Sequence, residues 1–232
     1  MLKVKKRNVI AIIPARGGSK SIKNKNLSLI NNKPLIYYSI QSAKNSKFVN
    51  RVIVSTDCKK IANVAKKYKA EVPFFRPSKI SKDKTADYPV ILHAILKLKL
   101  NQKEFENDII LYLRPTQPLR SSSDIDNCIS VIKKNSKINC VRTIRKAIYP
   151  PFWMKKINNK NLIMPFINNK YSTKIIRRQD LPSVYMCDGY ADAFKIKAFL
   201  KEKKFPLTNS HGVFSKSKFF IDIDERKDIK LA

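Results

Sequence analysis

Two of the four glycines in this 232-residue chain, Gly17 and Gly18, are adjacent, in the run Pro14-Ala15-Arg16-Gly17-Gly18-Ser19-Lys20. A chain this poor in glycine places such a pair where backbone must approach something closely. Consecutive free amides in such a loop form an anion-binding concavity. Arg16, Lys20, Lys23 and Lys25 add cationic donors, and the combination suits a triphosphate. Neither G-x-x-x-x-G-K-S/T nor G-x-G-x-x-G is present, so the loop is not one of the two common phosphate-binding fingerprints. The alternative is an ordinary tight turn with surface lysines; the flanking cations after a buried strand favour phosphate.

Ile221-Asp222-Ile223-Asp224-Glu225 is the second run of interest. Alternation along a strand sets both aspartates on one face and the isoleucines on the other, toward a core. Four acids fall within residues 222–228 of a chain that has 17. Two close carboxylates repel unless a cation sits between them, and Mg²⁺ takes one or two carboxylates plus phosphate oxygens. Asp224 could equally cap a following helix. In Leu113-Arg114-Pro115-Thr116-Gln117-Pro118-Leu119-Arg120, two prolines stiffen a loop whose arginines could grip carboxylate or phosphate bidentately. Ser121 to Asp124 then reads as the start of a helix.

Regular elements must position these runs. Val9 to Ile13 reads as a strand buried on both faces. Pro34 starts a helix with Ile36, Ile40 and Ala43 on one face. Val52 to Ser55 is a strand, Lys59 to Tyr68 a helix, and Val72 to Phe75 a short extended piece. Ile91, Ile95 and Leu98 mark a helix, Ile109 to Leu113 a strand, Ile125, Ile129 and Ile132 a helix, and Ile138 to Ile144 a strand. Alternating strand and helix predicts a mostly parallel sheet with helices on both faces. Ligands of such sheets bind at the carboxyl ends of the strands. The loops after Ile13, Ser55 and Leu113 should therefore meet at one edge. Residues 146–187 break the pattern with Pro150, Pro151, Pro165, Pro182 and two Asn-Asn pairs, and read as an excursion of short strands and turns. Strands resume at Tyr190 to Ile196 and Phe219 to Asp224. The expectation is one domain over residues 1–232, with 146–187 as its excursion.

The formal charge is +32, from 49 Lys and Arg against 17 Asp and Glu. Nucleic-acid binding is one explanation of such a balance. The lysines, however, are dispersed between apolar positions, no basic helix stands out and no recognition motif is present, which favours a solvated surface. A positive field still draws in anionic substrates. The cysteines Cys58, Cys128, Cys140 and Cys187 form no C-x-x-C pair and there are two histidines, so a zinc site is poorly supplied with ligands. His93 reads as a helix-face residue, His211 beside Gly212 as part of a turn, and Trp153 as a packing residue. Free thiols, a short apolar run stopped by Pro14 and no stretch of membrane-spanning length lead to an expected cytoplasmic location.

In order along the chain, five blocks resemble those of the acylneuraminate cytidylyltransferases, the CMP-sialic acid synthetases. They are Ile13 to Lys20 with Lys25-Asn26, Val54-Ser55-Thr56-Asp57, Arg76-Pro77 with Asp83-Lys84-Thr85-Ala86, Arg114 to Arg120, and Ile221 to Asp224. The resemblance implies a three-layer α/β/α, Rossmann-like nucleotidyltransferase fold with a mostly parallel sheet and a small dimerisation excursion. It implies attack by the anomeric hydroxyl of an acidic nine-carbon sugar on the α-phosphate of CTP, with loss of pyrophosphate. Arg16, Lys20 and Lys25 would hold the phosphates and offset leaving-group charge. Ala15, Gly17, Gly18, Ser19, Asn26, Arg76, Thr85 and Ala86 would complete the nucleotide site. Asp222 and Asp224 would hold Mg²⁺. Arg178 and Gln179 would bind the sugar, and residues 146–187 would exchange between the subunits of a homodimer. Two positions depart from the family pattern: Arg114 stands where glutamine is common and Asp188 where asparagine is common. Both face the sugar by the same analogy, Arg114 would pair with Asp188, and the two changes point away from plain N-acetylneuraminate toward relatives such as legionaminic or pseudaminic acid. Activation of the eight-carbon acid Kdo, or of another sugar, is the nearest rival.

Overall fold

The computed structural model describes residues 7–171, 177–217 and 219–232. Residues 1–6, 172–176 of the excursion and position 218 lie outside those residues.

Strand β1 (Val9–Pro14) is buried along nearly its whole length, and its alternate side chains enter two different cores. Val9, Ala11 and Ile13 join one; Ile10 and Ile12 join the other. A period of two can do this only when both faces of the sheet are covered. The elements that follow are β2 (Leu29–Ile30), β3 (Lys33–Pro34), α1 (Leu35–Lys44), β4 (Arg51–Ser55), α2 (Lys59–Lys67), α3 (Asp87–Lys97), β5 (Ile109–Tyr112), α4 (Ser122–Lys134) and β6 (Cys140–Lys146). Then come β7 (Lys155–Ile157), β8 (Ile163–Pro165), β9 (Tyr185–Lys195), α5 (Ile196–Glu202), β10 (Ser210–Phe214) and α6 (Arg226–Leu231). Helices α1, α2 and α4 place Ile36, Ile40, Ile61, Ile125 and Ile129 in the first core. Helices α3 and α5 place Ile91, Ile95 and Phe199 in the second. The result is the expected three-layer α/β/α arrangement.

The six-stranded sheet has the order β10-β6-β9-β5-β1-β4. Strand β1 runs parallel to β4 and β5, and β9 runs antiparallel to β5. The parallel trio brings the loops after β1, β4 and β5 to one edge of the sheet, as the sequence requires. Isolated parallel bridges from Ile53 to Glu71 and from Thr56 to Phe75 account for the short extended piece near Val72. Helix α4 starts on a capping box: Ser121 Oγ accepts from Asp124 N at 3.2 Å, and Asp124 Oδ2 accepts from Ser121 N at 3.2 Å.

Two expectations are corrected, and one helix is added. Residues 219–224 form no strand: Ile223 N donates to Thr116 O at 2.9 Å in place of a ladder. The face assignment survives without the strand, because Ile223 is buried with Ile22, Ile30 and Leu35. His211 and Gly212 lie within β10 and not in a turn. Helix α5 has no counterpart in the sequence reading. Its seven residues give too little periodicity to stand out.

The chain divides into two compact units, residues 1–143 with 188–232, and residues 144–187. The second unit contains the antiparallel pair β7–β8, whose register sets Lys155 against Pro165 and Ile157 against Ile163. Few of its described residues are buried, and Ile157, Ile163 and Phe166 are exposed. Among the described residues no helix is long and apolar enough to cross a membrane.

Candidate active site

A cavity of about 450 Å³ opens at the carboxyl-terminal edge of the parallel strands. Its walls come from the loop after β1, the loop before α3 and the loop after β5. Among the expected residues, Arg16, Ser19, Lys20, Lys25, Asn26, Arg76, Thr85, Arg114 and Asp224 line it. They come from separate loops because the sheet gathers the ends of β1, β4 and β5.

Gly17 has a different local cause from the expected one, whereas a Cβ on Gly18 would meet nothing within 4 Å. A Cβ on Gly17 would come within 2.9 Å of Cys58 Cβ, so the loop after β1 packs too tightly on the loop after β4 for any side chain. Gly17 N donates to Asp57 Oδ1 at 2.8 Å, and Ser19 N to Gly17 O at 3.2 Å. Those two amides are therefore engaged within the protein, and the expected row of free donors is not formed. Ala15 is fully buried and its amide continues the β1–β4 contact onto Ser55 O at 2.9 Å. The buried Asn26 donates from Nδ2 to Arg16 O at 3.0 Å, holding the two ends of the loop together.

At the rim, cations and carboxylates meet in half-exposed pairs. Arg16 contacts Asp83 Oδ1, and Lys20 Nζ lies 3.1 Å from Asp83 Oδ2. Lys20 and then Arg16 hold the Asp83 carboxyl below the usual range, against partial desolvation. Lys25 Nζ donates to Ile223 O at 2.7 Å and to Asp224 Oδ1 at 3.1 Å. The Asp222 carboxyl is pushed up by partial desolvation and by the neighbouring Asp224 carboxylate, while the Thr116 hydroxyl and Lys25 act the other way. Two mutually repelling carboxylates, one of which lines the cavity, fit Mg²⁺, which needs one or two protein carboxylates. Among the described residues no group of three or more His, Cys, Asp or Glu is arranged for a metal. The donor set thus suits a cation that completes its shell with substrate oxygens and water.

Arg76 is unusual. It is 5% exposed, and its Nε and Nη2 have no hydrogen-bond partner. Burial lowers its pKa, opposed by Asp57. A buried guanidinium with unused donors beside a cavity is a donor site for an acceptor atom of a ligand.

At the floor the charges are locked. Arg114 Nη1 donates to Asp192 Oδ2 at 2.7 Å and Nη2 to Asp87 Oδ2 at 2.6 Å. Asp192 is fully buried and also accepts from Arg142 Nε at 2.7 Å. Tyr112 Oη donates to Asp87 Oδ1 at 2.7 Å. Burial would lower the Arg114 pKa, but Asp192 and Asp87 outweigh it and raise it. The partner expected for Arg114 was Asp188; the carboxylates at bonding distance are Asp192 and Asp87. Asp188 is buried, and its Oδ1 accepts from Tyr190 N at 3.1 Å. Arg120 is not a substrate grip. It is buried, donates to the carbonyl oxygens of Tyr190 and Arg114 and to Ser39 Oγ, and is pushed down to about 9 by burial and then by Arg114. Its fork ties the loop after β5 to β9 and α1.

Gly18 accepts from Arg16 Nη1 at its carbonyl, and Ala86 is the N-cap residue of α3. Arg178 and Gln179 belong to the second unit, in the short turn Arg178–Asp180, where Arg178 Nη2 donates to Ala147 O at 3.3 Å. Asp83 stood in one of the five blocks without a role of its own, and Asp87, Tyr112 and Asp192 were not singled out from the sequence. Asp192 carried a signal, because a charged residue inside Tyr190-Ala191-Asp192-Ala193-Phe194 must be buried and must find partners.

The family described as "Cytidylyltransferase" matches residues 10–222. Among similar proteins, post-translational flagellin modification protein B of Campylobacter coli is 32% identical over 225 residues, covering 96% of this chain and 92% of that protein. CMP-N,N'-diacetyllegionaminic acid synthase of Campylobacter jejuni is 34% identical, with 96% and 92% covered. Pseudaminic acid cytidylyltransferase of the same organism is 31% identical, with 96% and 94% covered. Among solved structures, a CMP:2-keto-3-deoxy-manno-octonic acid synthetase complexed with CTP superposes with a TM-score of 0.68 at 13% identity, over 97% of this chain and 96% of that one.

Proposed function

The chain belongs to the cytidylyltransferase family, and from that premise we propose that it transfers CMP from CTP to the anomeric hydroxyl of a nonulosonic acid, releasing pyrophosphate. The observation that carries the proposal is the cavity, which combines Arg16, Lys20 and Lys25 with the unsatisfied Arg76 and the acidic rim residue Asp224. Arg16, Lys20 and Lys25 would hold the leaving phosphates. Positioning and electrostatic stabilisation supply most of the catalysis in phosphoryl transfer. Arg76, Asn26 and Thr85 would hold the cytidine, with Arg76 offering its free donors to an acceptor of the base or ribose. Asp222 and Asp224 would hold Mg²⁺, which supplies Lewis-acid polarisation of phosphate oxygens. Arg178 would take the sugar carboxylate bidentately, with Gln179 beside it.

Legionaminic and pseudaminic acids are proposed ahead of plain N-acetylneuraminate. Two of the similar proteins carry those names, and Arg114 and Asp188 stand where the family often has glutamine and asparagine. A homodimer is proposed from the exposed apolar side chains of the second unit, such as Ile157, Ile163 and Phe166, which a second copy would cover.

The test is pyrophosphate release with CTP and Mg²⁺ across N-acetylneuraminate, legionaminate, pseudaminate and Kdo. Turnover with a nine-carbon acid, and none with ATP or GTP in place of CTP, is the expected result. Turnover with Kdo alone would replace the proposed acid. Silence across the panel together with no binding of CTP would remove the proposal.

A further inference from the structure

Arg16 and Lys20, read above as holders of the leaving phosphates, both close on a single carboxylate. Arg16 contacts Oδ1 of Asp83, and Lys20 approaches Oδ2 at 3.1 Å. All three residues line the cavity. Asp83 is presented by a turn in which Lys82 N donates to Thr85 Oγ1 and Thr85 N donates to Lys82 O, both at 3.1 Å. Thr85 is itself a lining residue, so the turn is part of the cavity wall. A carboxylate that offers one oxygen to each cation makes the contacts that two phosphate oxygens would make.

We infer that Asp83 is an internal competitor for the phosphate-binding cations, displaced when the nucleotide's triphosphate binds and returning to Arg16 and Lys20 as pyrophosphate leaves. The inference rests on the nucleotidyl-transfer reading and adds to it a means of product release. Pyrophosphate is a multiply charged anion that three cations would hold tightly. Asp83 lowers that affinity by giving two of them another partner. The competition is mild. Arg16 and Asp83 each have 29% of their side chain exposed and Lys20 has 86%, and exposed ion pairs exchange partners at little cost. The competitor therefore tunes affinity and does not block the site.

Calorimetric titration of the full chain with inorganic pyrophosphate, and separately with CTP, tests this at fixed Mg²⁺ and ionic strength. The proteins are wild type, Asp83→Asn and Glu71→Gln. Glu71 pairs with Arg51 at 2.7 Å outside the cavity lining and controls for the change in net charge. Asp83→Asn is expected to bind pyrophosphate about tenfold more tightly, to bind CTP more tightly as well, and to be more strongly inhibited by pyrophosphate in turnover, with Glu71→Gln unchanged. Unchanged or weaker pyrophosphate binding by Asp83→Asn, in a chain whose wild type binds CTP, overturns the inference and leaves the nucleotidyl-transfer reading standing. Equal tightening by Glu71→Gln also overturns it. A wild type that binds neither ligand removes both.

Discussion

The rim and the floor of the cavity use the same chemistry, guanidinium or ammonium against carboxylate, in opposite surroundings. At the rim, the Lys20 side chain that meets Asp83 is 86% exposed. At the floor, the Asp192 side chain that meets Arg114 and Arg142 is 0% exposed. Rim pairs are screened and exchangeable, so their cations can trade a carboxylate for a phosphate. At the floor the Asp192 carboxylate has been taken out of water between two arginines that keep about a quarter of their side chains exposed, and removing a partner leaves a charge in that group unanswered. A site that must bind and release a highly charged ligand needs both: a fixed template beneath and labile partners above.

The largest effect that would test this contrast is at the floor. Asp192→Asn leaves Arg114 and Arg142 short of their shared counter-charge, and should lower unfolding free energy by about 3–5 kcal/mol in denaturant titrations. A loss no greater than that of an exposed pair would erase the distinction. Next, Asp222→Ala removes one of the two acids that would hold Mg²⁺. Mg²⁺-dependent turnover should fall by about a hundredfold or more while the circular dichroism spectrum is retained. Near-normal rates would sink the metal assignment.

Arg76 sharpens the comparison, because it is buried like the floor yet its Nε and Nη2 lack partners like a rim awaiting ligand. Arg76→Met should leave stability unchanged or raised, since burying these unused donors stabilises nothing, while CTP affinity falls about tenfold. A destabilised variant with unaltered affinity would assign Arg76 to the fold. The smallest effect is the titration of Asp83. Its folded pKa is depressed, so its pairing contributes above the ordinary carboxylate pKa and is lost as pH falls through the lowered value. Lys20→Met should move the Asp83 midpoint, followed by carboxyl-carbon NMR, up toward the ordinary value. No movement would mean that Lys20 is not its principal partner.

Much of the frame was legible because it depends on local period. Two-residue alternation in Val9 to Ile13 assigned both cores, and the spacing of Ile36, Ile40 and Ala43 assigned a helix face. The same alternation mis-assigned residues 219–224 as a strand while orienting Ile223 correctly. Side-chain direction is a property of extended backbone, whereas a strand also needs a neighbour with which to form a ladder. The loop after β1 does line the cavity, but the reason for its first glycine is not the one its run suggests. Nothing local says that Gly17 must clear Cys58 or that its amide is taken by Asp57, 40 positions away.

By itself, the sequence of this chain determined the layers, the edge at which the loops converge and the residue types gathered there, because burial pattern and loop chemistry are written in runs of a few residues. Only the tertiary structure decided which charge answers which. Arg114 finds Asp87 and Asp192, at 27 and 78 positions' remove, instead of Asp188. Arg16 finds Asp83, across the cavity wall. Coulomb attraction and desolvation depend on separation in space and on burial. Both are set by how the strands are ordered in the sheet, which no short run of residues contains.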